Sequence, residues 1–486
     1  MHGRHRTPNA AGAPGHHSRT RWSLLLLLSV AQLMVILDIS AVNVALPDLA
    51  KDLNIGQADI GWAITSYSLI FGSLLLFGGR AADLLGRRRV FLTGLGVFTA
   101  SSLVTALAGD ATVLFAARAG QGLGAAMLSP AALSIITTAF QGPERAKALG
   151  VWGAVGGAGA AIGVLLGGVL TELVDWRAIF CINLPVGLLL AAGATHLVPA
   201  DTARPQWRGL DLRGALLATA SLGALVYAIS QAQTSGWTST QTLGIGAAAL
   251  VGLAAFAALE LRTAQPLLRV QRLTDRAVGG GFAMMLAASA VLFGSFLLSS
   301  LYLQNVLGTG ALRTGLAFLP FAVAIGAGVH VGTHVVTHAG VRIPLAAGFA
   351  IAAAGMLLRS GVSADGNYAA DVLPGMLVAG LGLGIILVSV SVSVLTGAAD
   401  HETGMLSGLN TTGHEIGGSL GIAVLATIAA GAAGPTAAAG LADGIGDAFL
   451  AAAVIAGVAS AAALVILPSA RTFLPKLALA PRVAVH

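Results

Sequence analysis

Two carboxylates, Asp38 and Glu415, stand in the middle of long apolar stretches of this chain, VAQLMVILDISAV at 30–42 and TGHEIGGSLGIAV at 412–424. A carboxylate in hydrocarbon costs about 2.5–3.5 kcal/mol on insertion scales, so each needs a partner or a task. An acid that meets water first on one side of a membrane and then on the other can load and release a proton, and either acid could also attract a cation. One guanidinium, Arg118, also falls inside an apolar stretch, where an unpaired cation is implausible. If Arg118 approaches Asp38 in one state and leaves it in another, the pair becomes a switch for proton loss. The plainer alternatives are a packing hydrogen bond from Asp38 to Asn43 or to a neighbouring helix, and an Arg118 that reaches for the nearer interface. Gln121 and Asn410 add uncharged groups suited equally to lining a path and to tying helices together. His414 suits either a proton shuttle or a neutral, packed imidazole. Glu260, Asp275 and Asp371 fall near the ends of apolar stretches, within reach of water.

The elements that must position these groups are spanning helices. Polar breaks divide the chain into about fourteen apolar segments: 22–46, 61–79, 90–108, 111–139, 148–171, 178–198, 212–233, 242–261, 277–304, 314–336, 343–361, 372–396, 405–430 and 447–468. Each is about long enough to cross a bilayer as a helix. Of the 26 Lys and Arg residues, 20 fall in the two tails and in every second connection, with Arg213 just inside the adjoining end of 212–233; Lys51, Arg177 and Arg313 fall in the others, to which Arg359, near the end of 343–361, is also assigned. Cytoplasmic connections keep Lys and Arg, so both termini are expected in the cytoplasm.

Composition excludes the soluble classes. Hydrophobic residues make up 56% and charged residues only 9%, against roughly 25% charged in an ordinary globular domain. Mean hydropathy is +0.86. The 65 glycines suit helices whose backbones approach closely in lipid. The net charge of +6 follows from the bias of the connections and calls for no nucleic acid. The single cysteine, Cys181, is expected to be buried and inert within a span. The histidines of the N-terminal tail are irregularly spaced, and no metal site is expected. There is no phosphate-binding loop with Gly-Lys-Ser/Thr, no HExxH and no soluble segment large enough for a nucleotide-binding domain, so no cofactor is expected.

The connection GGRAADLLGRRRV at 78–90 is the strongest local signal. Gly79 and Gly86 permit tight backbone geometry, Asp83 puts a carboxylate near the membrane surface, and Arg87, Arg88 and Arg89 supply cations within one turn. Such a cluster can bond to a neighbouring helix end in one conformation and release it in another. Anchoring alone would explain Arg89, but anchoring has no use for the acid between glycines.

This stretch resembles the signature loop of the major facilitator superfamily, and further matches follow in order. LDISAVNVALP at 37–47 resembles the first-span motif of its fourteen-span drug:proton antiporters, and RAGQGLGAA at 118–126 resembles the superfamily's Arg-containing motif. GAVGGAGAAIGVLLGG at 153–168, with Gly159, Gly163, Gly167 and Gly168, resembles the antiporter motif, but Val164 stands where that motif usually has proline. The missing proline leaves any bend to the glycines. TTGHEIGGSLG at 411–421 resembles span thirteen of the same family, whereas THVVTHAGVR at 333–342 is a degenerate, acid-free counterpart of the 78–90 loop.

The resemblance implies an all-α membrane protein of the major facilitator fold, with two six-helix halves at 22–198 and 277–468. An inserted helix pair with its flanking cytoplasmic connections occupies 199–276, and cytoplasmic tails lie at 1–21, read as disordered, and 469–486. It implies proton-coupled export of small amphipathic organic molecules by alternating access, with Asp38, Arg118 and Glu415 in proton coupling. Protons, a lipid bilayer and a small organic substrate are the expected partners, and a monomer the expected state. A nutrient importer on the same fold, or more remotely a membrane-embedded enzyme or sensor, are the rival readings. The 23 arginines against three lysines suggest a high-GC bacterial genome, and hence a bacterial plasma membrane.

Overall fold

A computed structural model describes residues 14–478, apart from 57–59, 202–204, 207–210, 264–265 and 432–436. A chain this apolar must satisfy its backbone groups within each segment, which in lipid selects helices. Among the described residues there is no strand. The first half is α1 (Pro14–Asp52), α2 (Trp62–Leu85), α3 (Arg87–Ala106), α4 (Ala111–Ala139), α5 (Gly142–Leu173) and α6 (Ala178–Leu197). The inserted pair is α7 (Leu212–Ser235) and α8 (Thr240–Glu260). The second half is α9 (Val278–Val306), α10 (Leu312–Ala339), α11 (Arg342–Arg359), α12 (Tyr368–Leu395), α13 (Thr403–Ala430) and α14 (Ala437–Ile466). A short α15 (Ala470–Ala478) follows. Thirteen described helices are long and apolar enough to cross a membrane, and the 32-residue α5 is the fourteenth long helix.

Side chains capture the orphan amides at several helix starts. Asp110 accepts from Val113 N at 3.0 Å on α4, Asp211 from Gly214 N at 2.9 Å on α7, and Ser239 from Thr242 N at 3.2 Å on α8. The segment expected to be a connection at 78–90 is mostly helix: α2 continues through Arg80 and Asp83 to Leu85, and only Gly86 interrupts it before α3. Gly86 makes that turn with φ +107°, a conformation costly for any residue with a Cβ.

Within the first half α4 packs on α2 and α3, and α5 on α1; in the second, α12 packs on α10 and α11, and α13 on α9. The halves meet along two seams, α2 against α13 and α5 against α10 and α12. The inserted pair lies against the first seam, with α7 touching both α2 and α13.

Three residues depart from expectation. Cys181 is exposed, because α6 turns that face outward while Ile179 and Phe180 fill the interior. Glu260 is buried, since the segment after α8 folds back and Leu268 N donates to its Oε2 at 3.0 Å. Arg359, assigned to a connection, ends α11 in full burial, with its guanidinium bonded to Ser299 Oγ at 2.9 Å and lying 4.5 Å from the Phe449 ring centre.

Candidate functional site

The first cluster lies inside the first half. Arg118 and Gln121, one turn apart on α4, face α1 together. Arg118 forms an ion pair with Asp38 in which both side chains are fully buried. Its Nε donates to the Ala63 carbonyl at 2.9 Å and its Nη1 to Gln121 Oε1 at 2.9 Å. The guanidinium carbon sits 4.5 Å from the centre of the Tyr67 ring, a cation–π contact. On the carboxylate side, Gln121 Nε2 donates to Asp38 Oδ1 at 2.8 Å and Asn183 Nδ2 to the same oxygen at 3.0 Å. Ser102 Oγ accepts from both amides, at 2.8 and 3.2 Å. Buried charges are tolerated when paired and fully hydrogen-bonded, and this network meets both conditions. The side chain of Asn43 lies outside the described residues.

The second cluster is a small cavity between the halves, about 100 Å³ in volume. Its polar lining includes Gln32 of α1, Ser129 of α4, and Asn410, His414 and Glu415 of α13, with the hydroxyl residues Ser40, Ser391 and Thr411. Gln32 Oε1, Ser129 Oγ and Asn410 Oδ1 are buried without a hydrogen-bond partner, and among the described residues none donates to the Glu415 carboxylate. Residues from both halves that carry unpartnered buried polar atoms and gather around one space make it the candidate binding site. His414 is committed elsewhere: its Nδ1 lies 2.6 Å from Ser289 Oγ and its ring 5.2 Å from that of Phe293. A drug-sized ligand needs roughly 300 Å³ or more, so this cavity must widen to admit one.

The third cluster closes one end of the seam. Asp83 accepts from the backbone amides of Gly404 and Met405 at 2.8 and 2.9 Å, capping α13 from the opposite half. Arg87 Nη2 donates to Thr403 Oγ1 at 2.8 Å, and Ser134 of α4 meets the same hydroxyl at 3.0 Å. The backbones nearly touch here: a Cβ on Gly79 would collide with the Gly404 carbonyl, and one on Gly408 would lie 2.7 Å from the Leu75 carbonyl. Just outside, Glu402 is bound by Arg269 at 2.8 Å and by Arg272. Burial alone would raise the Glu402 carboxyl, but the bonds and charges of Arg272 and Arg269 outweigh it and hold that group below the usual carboxylate range. Arg88 does not join the closure; its Nη2 donates to the Thr195 carbonyl at 2.8 Å, and Asp201 accepts from the Arg88 and Arg89 amides at 3.2 and 3.0 Å.

A profile of the Major Facilitator Superfamily matches residues 28–422. The chain belongs to this superfamily. It is 39% identical over 427 residues to the puromycin resistance protein pur8 of Streptomyces alboniger, covering 87% of this chain and 84% of that one. It is 38% identical over 440 residues to the cephamycin export protein CmcT of Amycolatopsis lactamdurans, covering 90% of each. The human organic anion transporter MFSD10 shares the fold, with a TM-score of 0.63 at 14% identity, over 91% of this chain and 99% of that one.

As a member of the superfamily the chain has its functional geometry spread over both halves. Gly159, Gly163 and Gly167 recur every four residues on the face of α5 that meets α1, where a Cβ at Gly163 would strike Ser40 and one at Gly167 would lie 2.7 Å from Ala41 Cα. Gly168 is buried on the same helix. Their role in this structure is close helix packing, and Gly153 and Gly156, a turn earlier, line the central cavity. Sequence reading missed Asn183, Ser102 and Tyr67, which surround the Asp38–Arg118 pair, and Gln32 and Ser129, which face the cavity. A single amide or hydroxyl in an apolar stretch carries no mark of what it faces. Glu402 was legible in principle, as an acid immediately before span thirteen with four arginines in the 262–276 connection.

Proposed function

We propose that this protein exports small organic molecules, antibiotics among them, in exchange for protons by alternating access between two halves. The observation that carries the reading is the carboxylate of Glu415, without a hydrogen-bond donor among the described residues, in the same cavity as Gln32, Ser129 and Asn410. Glu415 is the proton site, and its deprotonation and the arrival of substrate are coupled because both occur in that space. Asp38 and Arg118 hold α1 to α4 and add a second protonation point where the pair separates. Asp83, with Gly79, Gly86 and Arg87, closes the end of the seam at which α2 meets α13. Arg88 reinforces the neighbouring α3–α6 contact. The relatives whose names record puromycin resistance and cephamycin export support this cargo class.

The basic residues of alternate connections support a bacterial plasma membrane with both termini, and the Asp83 closure, on the cytoplasmic side. The protein then acts as a monomeric carrier and not as an enzyme, using the proton gradient as its energy source. The test is purified protein in inverted vesicles with an imposed proton gradient and labelled puromycin or a cephamycin as probe. Accumulation that collapses with the gradient is expected; uptake indifferent to the gradient for every probe overturns proton coupling.

A further inference from the structure

A second cavity, larger than the central one, lies away from it. A cleft of about 1100 Å³ opens along the second seam, with Lys147, Val151, Val155 and Ile162 of α5 on one wall and His330, His334 and His338 of α10 on the other. Leu33 of α1 completes the apolar side. The three histidines recur every four residues and so share one face of α10. The rings of His334 and His338 lie 4.7 Å apart, and all three histidines are exposed to the cleft. Lys147 is also exposed, and among the described residues it has no ion-pair partner. The acid one turn before it, Glu144, is taken by Arg21 at 3.7 Å. Because successive helices alternate in direction, Lys147 near the start of α5 and His338 near the end of α10 lie at the same end of the bundle as Gly86.

We propose that this cleft binds one anionic phospholipid, its phosphate held by Lys147, His334 and His338 and one acyl chain laid along Val151, Val155 and Ile162. Charge chooses the headgroup, since the polar end offers the Lys147 ammonium and the His334 imidazole, and His338, whose Nδ1 donates to the His334 carbonyl at 2.8 Å, adds an Nε2–H when its ring is cationic, with no free acid among the groups lining the cleft. Length chooses a lipid over a free phosphate. From His338 to Gly326 the cleft follows α10 for about 18 Å at 1.5 Å per residue, roughly one leaflet of a 30 Å hydrocarbon core. A soluble phosphate would fill the polar end and leave that apolar wall bare. The walls belong to opposite halves, so the bound lipid bridges the seam and its hold changes when the halves move.

The full-length protein, exchanged into detergent, is titrated with phosphatidylglycerol or phosphatidylcholine and read by native mass spectrometry. One phosphatidylglycerol retained per chain in preference to phosphatidylcholine is expected, with affinity reduced roughly thirtyfold in Lys147→Gln combined with His338→Gln, about fivefold for each basic contact to an anionic headgroup. The single variants, each at an exposed position, should show part of that loss and keep the size-exclusion profile of the wild type. His196→Gln, an exposed histidine at the same end but outside the cleft, should bind as the wild type does. Equal retention of the two lipids, or undiminished phosphatidylglycerol binding in the double variant, overturns the assignment. So does displacement of the lipid by millimolar inorganic phosphate, which would make the polar end a free-phosphate site.

Discussion

Asp83 and Gly404 stand 321 positions apart in the chain, yet the carboxylate of the first accepts the backbone amide of the second at 2.8 Å. The bond joins the last turn of α2 to the first turn of α13, where exposed amides and the helix dipole favour an anion. It therefore crosses between the halves, and an alternating-access motion that separates α2 from α13 must break it. The opposite end differs: Asp52 pairs with Arg177 at 2.7 Å, and both belong to the first half.

Asp83→Asn is expected to leave insertion and folding intact and to shift the closed-to-open ratio of that end by roughly tenfold, as expected for a charge-assisted bond contributing about 1.5–3 kcal/mol. Spin labels at positions 196 and 401, in a Cys181→Ser background, would report the change as a longer-distance population. An unaltered distribution would reduce Asp83 to an anchoring residue.

Gly404→Ala is expected to act on the same closure from the other side. The added Cβ would meet the Gly79 carbonyl and lie 2.7 Å from Asp83 Oδ1, so backbones now in contact must separate. Overpacking of this kind costs about 1–3 kcal/mol, and because only the closed state is crowded, transport should slow while substrate binding persists. Binding and flux measured on one reconstituted sample distinguish the two effects.

Asp38→Asn or Arg118→Ala alone leaves a buried charge without its counter-ion, at a cost of roughly 3–5 kcal/mol. The double variant should be milder than the sum, as expected for residues in contact. Arg118→Lys keeps the charge but cannot reach Ala63 O, Gln121 and Asp38 at once, so it should fall between wild type and alanine. Thermal unfolding in detergent would measure all four, and strictly additive losses would contradict the pairing.

Glu415→Gln preserves size and hydrogen bonding while removing titration. Gradient-driven efflux should fall at least tenfold, while exchange of labelled for unlabelled substrate without a gradient should survive. Proton-coupled flux at the wild-type rate would exclude Glu415 as the carrier.

Glu402 provides a pH test outside the spans. Its carboxyl is held below the ordinary value of 4.5, so its bonds to Arg269 and Arg272 favour the bound state fully above that value and are lost as pH falls below 4.5 through the lower, bound-state value. Wild type should lose thermal stability on acidification in that window, and Glu402→Gln, already lacking the term, should show a flatter profile.

The number and length of the spans were legible in the sequence because lipid imposes a one-dimensional rule: about twenty apolar residues per crossing. That Asp38, Arg118 and Glu415 each need a partner or a polar space was legible for the same reason, since charges in hydrocarbon are costly wherever they point. What each one faces was not. Asp38 and Glu415 look alike as acids in apolar runs, yet Asp38 is closed in by Arg118, Gln121 and Asn183, while Glu415 opens onto the cavity. Asp83 could be read as able to bond a helix end, but which end depends on the docking of α2 against α13, through glycines hundreds of residues apart. Composition along one chain reports the cost of leaving water, and the direction of a side chain is set by neighbours that only tertiary packing supplies.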